Sequence, residues 1–199
     1  MQLIEAIENR RSIHDFKRVL VDEAVMKEIF RLASWAPNHR LKQPWEVMMF
    51  QNDGVRDYAD LVIESYLREG FAEGYDSAKT DKMMQGIIQF LIDIPHHALI
   101  YMERDSDFHK FEEDYASVCA FIQNAQLAAW EKGIGVLWTT SPYIHDVDFI
   151  EGIGLNPELH KVAGVLQMGY PARVPKPKPR SPVDITFRND SFNKKSDAR

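Results

Sequence analysis

The sequence predicts one sheet buried between layers of helices. Four apolar runs of strand length, at 45–50, 96–102, 133–138 and 162–169, are bounded by proline, glycine or other turn residues. Segments of helical spacing lie between them, and strands alternating with helices build a sheet covered on both faces. A third observation is segment 115–132. It is apolar around most of its girth, with Val118, Phe121, Ile122, Leu127 and Trp130, more than one small domain readily covers, so a dimer interface is expected to cover it.

The elements follow in order. Residues 2–10 set Leu3, Ile4, Ala6 and Ile7 on one face of a short amphipathic helix ending at Arg10-Arg11. Asp22 is an N-cap ahead of Val25, Met26, Ile29, Phe30 and Ala33, and Pro37 stops that helix. Run 45–50 is a buried strand between Pro44 and Asn52-Asp53-Gly54. Segments 55–70 and 77–93 are helical, with Gly70 and Gly74 between them. After the 96–102 strand, residues 103–114 hold six acidic against two basic side chains and read as a solvated connector. Helix 115–132 stops at Gly133, and two further buried strands close the fold.

With 199 residues the chain has room for a single domain with an arm. Its 30 acidic and 24 basic side chains leave a net charge of −6, which argues against a broad nucleic-acid surface. The one cysteine, Cys119, excludes an internal disulfide and a cysteine-only metal site and suits a reducing, cytoplasmic compartment. Glu5 and Glu8 stand where a secretory signal would be apolar, and the uncharged stretch 115–130 is too short and polar to span a bilayer. The tail differs from the rest: 171–199 carries a net charge of +5 against −11 elsewhere, with five prolines between 171 and 182. Such a segment is a stiff, extended basic arm. Val183, Ile185 and Phe187 alternate and predict a short strand that docks on another surface, such as a second subunit.

Four constellations carry chemistry. Arg10-Arg11-Ser12 is either a pair of cations offsetting a helix C-terminus or a phosphate grip of guanidinium forks and a hydroxyl. The loop from Ala36 to Trp45 packs Asn38, His39, Arg40, Lys42 and Gln43 between prolines, dense for a plain connector. Trp138-Thr139-Thr140 ends a strand, where an indole can wall a planar ring and hydroxyls serve its polar edge; it is equally a core Trp before a polar turn. Lys176, Lys178 and Arg180 alternate with prolines, a cation ladder or a soluble tail. The seven histidines form no metal motif, and no phosphate loop, dinucleotide fingerprint or nucleophile elbow is present.

In chain order these pieces resemble the flavin-dependent nitroreductase family, in its compact branch. Glu5-Ala6-Ile7-Glu8-Asn9-Arg10-Arg11-Ser12 is similar to the family's opening helix and phosphate motif. Ala36-Pro37-Asn38-His39, leading into Gln43-Pro44-Trp45-Glu46-Val47, is similar to its flavin loop and first strand. The stretch 122–140 resembles its central helix and following strand, and 166–180 its closing strand and basic arm. The resemblance covers about residues 1–186. It implies an α+β fold, a three-layer α-β-α sandwich around a mixed central sheet. Residues 1–182 would form a single FMN-binding domain, and 183–199 a C-terminal arm exchanged onto the partner of a homodimer.

The resemblance further implies FMN as cofactor and NADH or NADPH as electron donor, with nitroaromatics, quinones or other small acceptors reduced in a ping-pong cycle. Arg10, Ser12, Lys178 and Arg180 would hold the phosphate and ribityl end, with Arg11 beside the flavin. Pro37, Asn38 and His39 would approach from the partner chain, and Trp138, Thr139 and Thr140 would line the ring and its N5 edge. No side chain is expected to act as a catalyst of its own, since the flavin carries the chemistry, and no metal is expected. One departure is that no Asn lies between Val55 and Pro95 to meet the pyrimidine edge. Specialised flavin chemistry such as reductive dehalogenation, or a flavin sensor or store without turnover, remains an alternative.

Overall fold

The computed structural model describes residues 2–188. Helix α1 (Leu3–Asn9) is followed by α2 (Glu23–Ala33), β1 (Glu46–Gln51), α3 (Gly54–Arg68), α4 (Ser77–Ile92), β2 (His96–Glu103), α5 (Phe108–Glu131), β3 (Gly135–Thr139), α6 (Val147–Gly152) and β4 (His160–Gly169). Two short 3-10 turns, His39–Leu41 and Pro142–His145, complete the list. The strands form one sheet in the order β1-β2-β4-β3, and every strand pair is antiparallel. The parallel component expected of a mixed sheet is confined, among the described residues, to one bridge between Ser12 and Val136. That bridge places the segment after α1 along the outer edge of β3.

Alternation along the strands builds a core on each face. On one face Ala98, Ile100, Met102, Leu166 and Met168 meet α2 and α5, giving a cluster with Met26, Ile29, Val118, Phe121 and Ile122. Phe121 stacks on Trp45 and Phe30, at ring separations of 4.9 and 6.1 Å. On the other face Leu99, Val162 and Val165 meet α3, α6 and the second 3-10 turn through Tyr58, Val62, Tyr143 and Phe149. The Tyr58 and Tyr143 hydroxyls satisfy each other at 2.7 Å inside that core. The result is helix layer, sheet, helix layer.

Three expectations need correction. Helix α5 begins at Phe108, so most of the acid-rich connector is its first two turns. Asp107 caps it, accepting from the His109 and Lys110 amides, and acidic side chains near a helix N-terminus are favoured by the dipole. The wide apolar girth of α5 is covered largely by its own chain, with α2 on one side and the sheet on the other. The free apolar surface lies elsewhere: Leu3, Ile4 and Ile7 of α1 are 67%, 66% and 55% exposed. Finally, Val183, Ile185 and Phe187 form no strand and are largely exposed, because no sheet edge of this chain pairs with them. Residues 189–199 of the expected arm lie outside the described residues. Among the described residues no helix is long and apolar enough to cross a membrane.

A bulge shapes the site end of the sheet. Register slips between Ile100 and Tyr101 opposite β4, at Gly164. Gly164 has φ +155°, and a Cβ there would collide with the Trp138 indole and lie 3.0 Å from the Thr139 carbonyl oxygen. The absent side chain is what lets Trp138 lie flat against β4.

Candidate functional site

Helix α1 stops at Asn9, and the chain turns along β3, with the Ile13 amide donating to the Val136 carbonyl at 3.1 Å. This fixes Arg10, Arg11 and Ser12 at the start of β3. Arg10 donates to Gln126 of α5 at 3.3 Å. Burial first, then the charges of Arg11 and Arg180, holds the Arg10 guanidinium below its ordinary pKa. Among the described residues no carboxylate forms an ion pair with Arg10, while the charges of Arg11 and Arg180 reach it. A guanidinium group that feels other cations and no carboxylate is suited to an anion.

Arg11 does two things. Its Nη atoms donate to the Arg10 and Glu8 carbonyls at 2.5 and 2.6 Å, capping α1 as the dipole favours. Its Nε is buried without a partner. Ser12 is exposed beside β3. Lys178 lines a cavity of about 640 Å³ with His14, Asp15 and Lys176, just past Ser12 in the chain.

At the far end of β3, Trp138 packs on the core while its Nε1 is buried and unpartnered. The Thr139 hydroxyl pairs with Ser141 at 2.9 Å, and Thr140 is exposed. From Val136, beside Ser12, to Thr140 is four residues, or roughly 13 Å of strand. The Trp138 indole N–H itself faces Gly164 of β4, so of this segment it is Thr140 that stands exposed at the end of β3.

Pro37, Asn38 and His39 are not brought to that edge. His39 sits toward the start of α5, its Nδ1 3.5 Å from Glu113. Glu113 and Gln126 are thirteen residues apart, about 20 Å of helix. His39 and Arg10 are thus anchored at separate points along α5. The loop is strained: Arg40, Leu41 and Gln43 have φ of +50°, +56° and +51° with no glycine among them. Each such residue costs roughly 1–2 kcal/mol. Asn38 stitches the loop internally, accepting from the Gln43 amide at 2.9 Å and donating to the Ala36 carbonyl at 3.2 Å.

Asp114 and Gly164 were not singled out by sequence reasoning, and Lys42 was named only as one polar residue of the 36–45 loop. Asp114 shows through in hindsight, since it precedes Val118 and Phe121 by one and two helical turns on the same face. Cys119 is half-buried, and burial pushes its thiol up, away from nucleophilic use. Among the described residues no cluster of three or more His, Cys, Asp or Glu could hold a metal.

Comparison with known proteins gives a consistent answer. The Nitroreductase family model matches residues 7–170. The protein named "Putative NAD(P)H nitroreductase YfhC" of Bacillus subtilis is 31% identical over 185 residues, 93% of this chain and 92% of that one. A nitroreductase-like family protein of Bacillus cereus superposes with a TM-score of 0.82 at 30% identity, covering 94% of this chain and 96% of that one. A Desulfovibrio desulfuricans protein solved in complex with FMN shares the fold, with a TM-score of 0.71 at 18% identity over 94% and 99% of the two chains. On its family match and its full-length relatives, this chain belongs to the nitroreductase family.

Proposed function

We propose that the protein is an FMN-dependent NAD(P)H oxidoreductase that works as a homodimer and reduces nitroaromatics, quinones or related small acceptors. The observation that carries this reading is the β3 edge, with uncompensated Arg10, Arg11 and Arg180 at one end and Trp138-Thr139-Thr140 at the other. Bound FMN supplies hydride transfer between nicotinamide and acceptor. The chain's own residues bind, orient and shield. Arg10 and Arg180, with Ser12 and Lys178, hold the phosphate and ribityl end. Arg11 fixes the end of α1 and sets a cation beside the flavin. Trp138 walls the ring, and Thr139 and Thr140 serve its polar edge. Pro37, Asn38 and His39 arrive from the partner subunit.

The exposed apolar face of α1 supports dimer formation, as do Trp35 and Leu41, 79% and 80% exposed. In this reading residues 1–182 form the flavin domain, and the 183–199 arm lays Val183, Ile185 and Phe187 on the partner. Donor and acceptor occupy the same cleft in turn, so no general base is required. The reducing cytoplasm suits both the donor and the lone thiol.

The test is the visible spectrum of the purified protein before and after anaerobic NADH and NADPH. Released FMN, bleached quickly by either nucleotide, supports the oxidoreductase. FMN that stays oxidised points to a sensor or store, and a colourless protein that takes up no added FMN refutes the proposal.

A further inference from the structure

The 38–43 loop holds three of the four non-glycine residues with left-handed backbone among the described residues. Side chains with a Cβ resist that conformation, so the loop stays in it only if the surroundings over-determine it. The Asn38 bonds and the Lys42-to-His39 backbone bond are internal. They would travel with the loop if it moved. Ties to the body of the protein are few. His39 meets Glu113 at 3.5 Å, a carboxylate that it shares with His109. Lys42 donates to Asp114 and lies 3.9 Å from Asp105.

Asp114 is the fixed point among these. Its side chain is 6% exposed, against 34% for Glu113 and 25% for Asp105. It stands one turn before Val118 on the core face of α5, and Lys42 is its ion-pair partner among the described residues. The pairing also raises the Lys42 pKa, chiefly through the hydrogen bond to Asp114. Farther along the same helix Gln126 holds Arg10. One rigid rod therefore carries both the anchor of the loop and the anchor of the anion site, twelve residues or about 18 Å apart.

We propose that the Lys42–Asp114 pair is a clamp that fixes the strained 38–43 loop on α5 and so positions it for the flavin bound by the partner subunit. The inference rests on the proposed function. Lys42 and Asp114 touch no reacting atom in this reading; they are positioning residues. Breaking the pair frees Arg40, Leu41 and Gln43 to relax while the α2–α5 core stays packed.

The experiment uses the full-length protein with Lys42→Met, Lys42→Arg and Asp114→Asn. Lys42→Met is expected to lower kcat/KM for the acceptor at least tenfold, to shift the visible flavin band, and to speed tryptic cleavage after Arg40 about fivefold in protein stripped of FMN. Its melting temperature should stay within about 3 °C of wild type. Lys42→Arg, which keeps the charge and its donors, should recover kcat/KM to within about threefold. Asp114→Asn should fall between, since its amide oxygen still accepts from Lys42. Wild-type kinetics, spectrum and cleavage in Lys42→Met overturn the clamp. So does a kinetic loss matched by a fall in melting temperature that Lys42→Arg does not restore, for that marks a purely structural pair. Wild-type protein that takes up no FMN overturns the proposed function and the clamp with it; FMN-loaded wild type beside an indifferent Lys42→Met overturns the clamp alone.

Discussion

Replacing Gly164 with alanine should separate the bulge's two demands, space and backbone. The added methyl would meet Trp138 Cδ1 at 2.8 Å and the Thr139 carbonyl oxygen at 3.0 Å. Neither is the free end of a flexible side chain. Trp138 is wedged against the α2–α5 core, and the carbonyl belongs to the paired strand β3. Overpacking of this kind costs about 1–3 kcal/mol, and the φ of +155° adds about 1–2 kcal/mol for a residue with a Cβ. The total, about 2–5 kcal/mol, corresponds to a fall in melting temperature of roughly 6–15 °C for a chain of this size. Two controls resolve the terms. Gly154 has φ +84° with nothing within 4 Å, so Gly154→Ala should cost only the backbone share, about 1 kcal/mol. Gly86 lies exposed in α4 with ordinary φ and open space, so Gly86→Ala should stabilise by about 0.5–1 kcal/mol. Thermal and urea unfolding of all three at one protein concentration, FMN saturating, gives the order. A Gly164→Ala protein within 2 °C of wild type would falsify the claim that the bulge exists to seat Trp138.

Two other outcomes follow from the same geometry. Burial pushes His97 from 6.5 to about 4, and its Nε2 is bonded to the Leu91 carbonyl while Nδ1 is unpartnered. The unfolded chain therefore takes up the proton first, so this contribution to stability is complete above pH 6.5 and is lost as pH falls toward 4, about 3 kcal/mol in all. His97→Gln should flatten the curve of urea midpoint against pH in that window, and an unchanged slope would count against the assignment. At the anion site, Arg10→Ala should weaken FMN binding tenfold or more, given about 1.5–3 kcal/mol for a charge-assisted bond. It should also reduce competition by inorganic phosphate in a flavin fluorescence titration; unchanged affinity and competition would remove Arg10 from the site.

Most of the scaffold was legible because its signals are local. Asp22 caps α2 by accepting from the Ala24 amide at 2.7 Å, as its position before an apolar stripe requires. All four strands fall within a few residues of the apolar runs that announce them. What was missed is non-local. The acids at 112–114 look solvated until Lys42, 72 residues earlier, is known to reach Asp114. The turn at Pro142–His145 and α6 are short and carry too little period to stand out. The alternation of Val183, Ile185 and Phe187 is a strand pattern lacking any edge of this chain to pair with.

The site was legible in chemistry but not in assembly. Arg10, Arg11 and Arg180 could be named as cations, yet only the fold lets the charge of Arg180 reach Arg10. Spacing along the chain says nothing of the roughly 20 Å of α5 between the contact of His39 at Glu113 and that of Arg10 at Gln126. That separation is also why the functional reading and the dimer stand or fall together. In the proposed reading a single copy would offer the flavin its anion grip and one wall, while Leu41 and Trp35 stay exposed beside the strained loop. In the proposed dimer the loop of one copy would complete the site of the other. Flavin affinity should then rise with protein concentration through the dimer's dissociation range, because an isolated chain holds only half of the contacts.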